Sequence, residues 1–152
     1  MIVVRVLSVE DWAEWRALRL AALADAPHAF STKLAEWQGE GDSEQRWRQR
    51  LDGGSLNLLA DFDGQPAGMV SGMPADRDGI EVISMWVAPF ARGCGVGDAL
   101  VSAVIRWAEE GGACRVVLRV AEGNRHAVNL YRRHGFAGDG PLLVRQIVGF
   151  LR

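Results

Sequence analysis

Three glycines at alternate positions, Gly93, Gly95 and Gly97, separate the apolar run 82–87 from an apolar-periodic segment that reaches about Glu110. This order predicts a strand, a tight loop and a helix. Glycine has no Cβ and adopts positive φ angles at low cost, so the loop can bring its backbone close to an anion. The first N–H groups of a helix are unpaired and lie at the positive end of its dipole. We therefore predict that the loop binds a pyrophosphate.

The spacing of these glycines differs from two other phosphate-binding patterns. A Walker loop ends in Gly-Lys-Ser/Thr, whereas Gly97 is followed by Asp98 and Ala99. A dinucleotide-binding fold has the spacing G-x-G-x-x-G after an early strand. Here the spacing is G-x-G-x-G and the loop comes late in the chain. A glycine-rich turn without a ligand is the remaining structural alternative.

Size and charge restrict the classes of protein to which the chain can belong. Its 152 residues, 49% of them hydrophobic, suit one compact domain with a single core. The net charge of −2 makes nucleic acid an improbable partner. No apolar run approaches the roughly 20 residues that span a bilayer, and no secretion signal is recognisable, so we expect no membrane partner and a cytoplasmic location.

The order of strands and helices predicts a mixed α/β domain with its antiparallel strands first. The dipeptide Asp63-Gly64 is a strong hairpin signal between two of these strands. Helices are predicted from Ser8 to about Pro27, from Ser43 to about Gly53, over 97–110 and from Asn124 to about His134, and strands over 2–7, 55–62, 66–73, 82–87, 114–120 and 142–150. In the first helix we expect Arg16 and Arg19 to lie off an apolar stripe formed by Trp12, Trp15, Leu18, Ala22 and Leu23.

Two motifs carry a resemblance to a known family. The run Arg92-Gly93-Cys94-Gly95-Val96-Gly97 resembles the R/Q-x-x-G-x-G/A coenzyme A loop of the GNAT N-acetyltransferases. The segment 124–136, which contains Asn124, Ala127, Leu130-Tyr131 and Gly135-Phe136, resembles the N-x-x-A-x-x-L-Y-x-x-x-G-F segment of the same family. The two motifs occur in the order and at the separation typical of the family, so together they support the resemblance much more strongly than either one alone.

The resemblance implies a fold and a location for the ligand. The fold would be a mixed, mostly antiparallel twisted sheet of six to seven strands flanked by about four helices. The strands 82–87 and 114–120 would separate at their C-terminal ends, and a pantetheine arm would enter there. It would pair with the backbone of Met85 to Val87, because exposed strand N–H and C=O groups require partners.

The reaction that the resemblance implies is direct transfer of an acetyl group from acetyl-coenzyme A to a primary amine, without a covalent enzyme intermediate. The whole chain, 1–152, would be a single acyl-coenzyme A-binding N-acetyltransferase domain. Glu81 is the candidate general base, with a solvated carboxylate at a strand edge as its alternative. Tyr131 is the candidate donor to the departing thiolate, with a packed surface tyrosine as its alternative.

Binding of the coenzyme is assigned by the same resemblance. The residues expected to contact acetyl-coenzyme A are Met85, Trp86, Val87, Arg92, Gly93, Cys94, Gly95, Val96, Gly97, Asp98, Asn124 and Arg132. Helix capping alone would explain Asn124, and Arg132 would otherwise be a solvated arginine. The histidines lack the spacing of metal ligands, so no metal is expected.

Two further expectations concern function and partners. A non-catalytic acyl-coenzyme A-binding sensor or regulatory module is the alternative to an enzyme, and it would need the loop but neither Glu81 nor Tyr131. The acceptor would be a small-molecule or peptide amine. The last strand could pair with a second copy of the chain, which makes a homodimer possible.

Overall fold

The computed structural model describes residues 1–30, 32–76 and 78–147. Within them, six strands form one sheet whose strand order follows the chain. The strands are β1 (Ile2–Val6), β2 (Leu56–Phe62), β3 (Gln65–Pro74), β4 (Gly79–Val87), β5 (Arg115–Arg119) and β6 (Leu142–Gln146). The α-helices are α1 (Trp12–Asp25), α2 (Glu44–Leu51), α3 (Val96–Glu110) and α4 (Arg125–Arg133). The predicted α/β class, with a mostly antiparallel sheet and four flanking helices, is confirmed.

Local sequence signals explain several boundaries of these elements. Asp63 and Gly64 both have positive φ angles, 50° and 83°, as a tight hairpin turn between β2 and β3 requires. The hydroxyl of Ser43 accepts a hydrogen bond from the N–H of Arg46 and caps α2. Of the strand predicted over 142–150, the described part ends at Gln146 and residues 148–150 lie outside the described residues.

The two faces of the sheet carry separate apolar cores. Successive residues of a strand point to opposite faces, so Leu58 and Ala60 of β2 pack with α3 and α4, whereas Leu59 packs with α1 and α2. The core under α1 and α2 contains Trp15 and Trp47, both with no exposed surface. The helices therefore cover both faces of the sheet.

The position of Arg19 differs from the sequence-based prediction. Arg16 lies partly exposed, as expected, but Arg19 is only 7% exposed and is buried with Trp15, Leu18 and Ala22. Arg19 comes four residues after Trp15 and therefore lies on the same helix face. The predicted stripe is correct in its apolar members, but it also contains a buried cation.

Strands β4 and β5 separate after a short parallel pairing. Only Gly79 to Glu81 pair with β5, opposite Arg115 to Val117. On the other edge, β4 pairs with β3 as far as Val87, with a shift of register between Met69 and Ser71. Ser84 has a φ of 58°, which is unusual for a residue other than glycine and marks a bulge in β4. The predicted separation of the two strands is therefore present.

Candidate active site

A cleft of about 360 Å³ occupies the gap between the separated strands. Its walls come from β4, from the end of β5 and the segment that follows it, from α4, and from residues just after α1. The candidate site residues that line it are Met85, Trp86, Val87, Arg92, Asn124 and Tyr131. Residues after Glu81 have no partner on β5, so this edge of β4 offers backbone hydrogen-bonding groups to the cleft.

The glycine loop ends in the first turn of α3. Gly93 and Gly95 have φ angles of 77° and 91°, and Gly95 is the residue that caps the helix. A Cβ on Gly97 would lie 3.1 Å from Leu130 Cδ2, so this glycine permits close packing of α3 and α4. The backbone N–H groups of residues 93–98 donate no hydrogen bond to any residue that the structure describes. A loop with this property fits an anion at the helix N-terminus.

Arg92 connects this loop to the end of α1. Its Nη2 donates to Asp25 Oδ2 at 2.5 Å, and its Nε donates to the carbonyl of Val87 at 3.0 Å. Trp86 Nε1 donates to the same carboxylate oxygen of Asp25 at 3.0 Å. The hydrogen bonds from Trp86 and Arg92 lower the pKa of Asp25, so this carboxyl stays ionised near neutral pH. The guanidinium is held at the rim of the cleft and remains about half exposed.

Tyr131 lies inside the cleft and is 6% exposed. Its ring packs edge-on against Phe136, with 5.7 Å between the ring centroids. Burial raises the pKa of its phenol above the usual value. The phenol is therefore protonated at neutral pH and can act as a hydrogen-bond or proton donor.

Glu81 lines a second, adjoining cavity of about 490 Å³. The two cavities share part of their walls, notably Phe30, residues 82–84 and residues 119–121. The structure therefore places the two candidate catalytic residues in neighbouring compartments, with Tyr131 in the cleft and Glu81 in the second cavity. The bulge at Ser84 lies in the wall between them.

Three other candidate binding residues have partners within the protein. The side chain of Asn124 accepts from the N–H of Ala127 and caps α4, so its capping role is present whether or not it also binds a ligand. Arg132 is exposed, donates to the carbonyl of Gly138 at 3.2 Å, and lines neither cavity. The thiol of Cys94 is exposed on the loop and donates to the carbonyl of Arg92 at 3.7 Å.

Asp98 joins α3 to α4. Its carboxylate accepts from Arg133 Nη2 at 3.1 Å and lies 2.8 Å from His134 Nε2. Partial burial opposes ionisation of Asp98, but its partners His134 and Arg133 outweigh that effect and lower its pKa. Its side chain thus has partners within the protein, and only its backbone N–H would be available to an anion bound at the loop.

Sequence analysis missed two arginines of the second cavity. Arg19 of α1 and Arg50 of α2 both line it, together with Trp15 and Trp47. Their spacing in the sequence could have predicted this position. Arg19 lies four residues after Trp15 and Arg50 lies three after Trp47, and residues at these spacings share one face of a helix. Each arginine therefore lies on the helix face that carries a core tryptophan.

The described residues contain no candidate metal site and no helix that could span a membrane. Among residues 1–30, 32–76 and 78–147, no group of three or more His, Cys, Asp or Glu side chains is arranged to hold a metal ion. Within those ranges no helix combines the length and apolar character that crossing a bilayer requires. Cytoplasmic location and homodimer formation stay predictions.

A sheet split beside a glycine loop, with a buried tyrosine in the split, is the arrangement that the resemblance to the GNAT N-acetyltransferases predicts. Residues 12–136 match the family model described as the acetyltransferase (GNAT) family. The chain belongs to this family of N-acetyltransferases.

Comparisons with individual proteins agree with this assignment. The chain is 33% identical over 133 residues to a mycothiol acetyltransferase of Renibacterium salmoninarum, a match that covers 84% of this chain but 38% of the relative. It therefore spans about two fifths of the length of the curated mycothiol acetyltransferases that it matches.

Solved structures share the same fold. An acetyltransferase of the GNAT family from Streptococcus pneumoniae superposes with a TM-score of 0.80 at 22% identity, covering 97% of this chain and 100% of that chain. The PaiA N-acetyltransferase from Thermoplasma acidophilum, solved in complex with coenzyme A, gives a TM-score of 0.74 at 19% identity. That match covers 97% of this chain and 99% of the other.

Proposed function

We propose that residues 1–152 form a single domain that transfers an acetyl group from acetyl-coenzyme A to a primary amine. The observation that carries the proposal is the cleft between β4 and β5, which lies beside the unpartnered N–H groups of residues 93–98. The loop amides would hold the pyrophosphate of the coenzyme, and the free edge of Met85 to Val87 would pair with its pantetheine arm. The related fold of PaiA, solved with coenzyme A, supports this choice of ligand.

The reaction follows from the groups that the two cavities contain. The neutral amine attacks the thioester carbonyl, a C–N bond forms, and the C–S bond breaks to release the coenzyme as a thiolate. Glu81, in the second cavity, would accept the proton that the amine loses, directly or through water. Tyr131, in the cleft, would donate a proton or a hydrogen bond to the sulfur, which its protonated phenol permits.

The position of Tyr131 favours an enzyme over a silent sensor of acyl-coenzyme A. A sensor needs the loop and the cleft, but it gains nothing from a buried phenol in the cleft. The curated relatives named mycothiol acetyltransferase support transfer to a small molecule. We propose a small-molecule or peptide amine as the acceptor.

Two measurements test the proposal. Calorimetry with coenzyme A and acetyl-coenzyme A should detect saturable binding, which Gly95→Ala should weaken. Thiol release from acetyl-coenzyme A, followed over a library of primary amines, should identify acceptors, and Glu81→Gln should lower the rate about 10²-fold or more without loss of coenzyme binding. Absence of coenzyme binding would refute the proposal. Binding without turnover on any amine would identify the sensor module instead.

A further inference from the structure

The second cavity contains positive charge that no carboxylate of the described residues pairs with. Arg19 and Arg50 line it, and Arg119 lies in the wall that it shares with the cleft. Neither Arg19 nor Arg50 forms an ion pair with a carboxylate of residues 1–30, 32–76 or 78–147. Glu81 lines the same cavity but is paired with neither of them. Buried charges are ordinarily paired, so this cavity is prepared for an anion.

Arg19 gives the strongest indication of a missing ligand. The residue is 7% exposed, and its Nη1 atom is buried without a hydrogen-bond partner among the residues that the structure describes. Its guanidinium lies over the ring of Phe30, 4.6 Å from the ring centroid. Burial, and then the positive charge of Arg50, lower its pKa to about 10. Arg19 is still protonated at neutral pH, and an anion in the cavity would stabilise that charge.

Two further donors of the cavity, the guanidinium of Arg50 and the indole of Trp15, have only neutral partners or none among the described residues. Arg50 donates to Asn57 Oδ1 and Ser71 Oγ at 3.0 Å each, and to Ser84 Oγ at 3.3 Å. These neutral groups orient the guanidinium without cancelling its charge. The indole Nε1 of Trp15, which also lines the cavity, is buried and has no hydrogen-bond partner in the described part of the chain. Unsatisfied donors next to two arginines match a ligand that is rich in acceptor oxygens.

From this arrangement we propose that the acceptor amine carries a carboxylate, which Arg19 and Arg50 bind in the second cavity. The inference rests on the proposed function and specifies its substrate class. An α-amino acid, or a small amine with a similar carboxylate, would place its negative group against the arginines and its amino group toward Glu81. A polyamine lacks the anion and would place additional positive charge beside Arg19. The acceptor is therefore an amino acid-like molecule rather than a polycation.

Matched pairs of acceptors test the proposal. The wild-type protein, saturated with acetyl-coenzyme A, is assayed for thiol release with L-amino acids, with the corresponding amino acid amides, and with spermidine. The free acids should show a kcat/KM at least about tenfold above their amides, because a charged hydrogen bond is lost in each amide. Equal rates for acids and amides, or a preference for spermidine, would overturn the inference.

Variants test whether Arg19 and Arg50 cause the preference for free acids over amides. Arg19→Gln and Arg50→Gln should lower the ratio of kcat/KM for the acid to kcat/KM for the amide toward one. Arg48→Gln removes a positive charge from the same helix as Arg50, but Arg48 lies outside the second cavity in an ion pair with Glu44, so it should keep the wild-type ratio. A fall of the rate with an unchanged ratio would mean that Arg19 and Arg50 only support the fold, and it would overturn the proposal.

Binding without turnover separates failure of this inference from failure of the proposed function. Tryptophan fluorescence of the coenzyme A complex is titrated with amino acids and their amides, because Trp15, Trp37 and Trp47 line the cavity. If Arg19→Gln unfolds the protein, Arg19→Lys, which keeps the charge but has fewer donors, replaces it and should weaken carboxylate binding. Normal coenzyme binding without saturable carboxylate binding would overturn the substrate class alone. Loss of coenzyme binding by the wild type would refute both proposals.

Discussion

The guanidinium of Arg92 donates a 2.5 Å hydrogen bond to the carboxylate of Asp25, which lies 67 residues earlier in the chain. This contact fixes the last turn of α1 against the first residue of the coenzyme loop motif. Residues that follow α1, Ala29 and Phe30, line both cavities. The loop expected to bind the coenzyme and the segment that lines both cavities are thus connected through one ion pair.

Replacement of Arg92 should weaken binding of the coenzyme. Arg92→Gln removes a cation from the rim of the cleft, and we expect the Kd for coenzyme A to rise about tenfold, since one charged hydrogen bond to phosphate is lost. Isothermal calorimetry measures this change. Arg106→Gln, which removes an exposed charge from α3, is the matched control and should leave the Kd unchanged. If the Kd of Arg92→Gln equals that of the wild type, Arg92 contacts Asp25 but does not contribute to coenzyme binding.

Tyr131→Phe should affect chemistry and leave coenzyme binding intact. The variant removes only the hydroxyl and keeps the ring contact with Phe136, so we expect thiol release to fall about 10²-fold while the Kd for coenzyme A stays within about twofold. Stopped assays of thiol release and calorimetry separate the two effects. Because burial raises the phenol pKa, the wild-type rate should show no decline from ionisation of Tyr131 below pH 10. An unchanged rate for the variant would exclude Tyr131 as the donor.

Gly95→Ala should reduce both stability and coenzyme affinity. Gly95 has a φ of 91°, which costs a residue with a Cβ about 1–2 kcal/mol, while the nearest atom to the added Cβ is Ile2 Cδ1 at 3.6 Å. Urea unfolding should show that loss, which would come from backbone strain and not from a clash. Gly140→Ala is the control, because nothing lies within 4 Å of its Cβ position and its φ is not in the left-handed region. Equal stability of the two variants would contradict a strained loop.

Lowering the pH should weaken the packing of α1 on α2, because it protonates the carboxylate of Asp42 that connects them. Arg16 Nε donates to this carboxylate at 2.7 Å and Trp47 Nε1 at 2.8 Å, and the hydrogen bonds from Arg16 and Trp47 lower its pKa to about 2. A carboxyl with a depressed pKa contributes stability above its unfolded value of 3.8, and this contribution disappears as the pH falls toward 2. The difference in free energy of unfolding between the wild type and Asp42→Asn should therefore be constant from pH 7 to about 5 and shrink below pH 4.

Urea unfolding at a series of pH values measures that difference. Asp139→Asn is the control, since Asp139 is exposed and has no hydrogen bond or ion pair with the described residues. It should show no such pH dependence. A difference for Asp42→Asn that persists unchanged to pH 2 would contradict the lowered pKa.

The elements that sequence analysis predicts well are those with local signals. Asp63-Gly64 specifies its hairpin through two positive φ angles, and Ser43 and Asn124 cap α2 and α4 through their own side chains. The glycine loop is also local, because the strand, turn and helix that define it are contiguous. In each case the responsible atoms lie within a few residues of one another.

The features that were missed depend on residues far apart in the chain. Arg19 was expected outside the apolar stripe, but it is buried, with its guanidinium over the ring of Phe30. The bulge at Ser84 arises where β4 changes register against β3. The second cavity combines α1, α2, β4 and the segment after β5. No local pattern specifies such a combination, which exists only once the sheet has formed.

The short pairing of β4 with β5 has a mechanical consequence. Three residue pairs join a four-stranded half-sheet to a two-stranded one, and α3 packs across strands of both halves. The same helix begins at Val96, directly after its cap Gly95, so the element that bridges the halves starts in the glycine loop. A molecule that binds this loop and fills the gap would connect the two halves where their strand pairing is shortest. The protein with such a molecule bound should therefore unfold in a single cooperative transition at a higher temperature than the free protein.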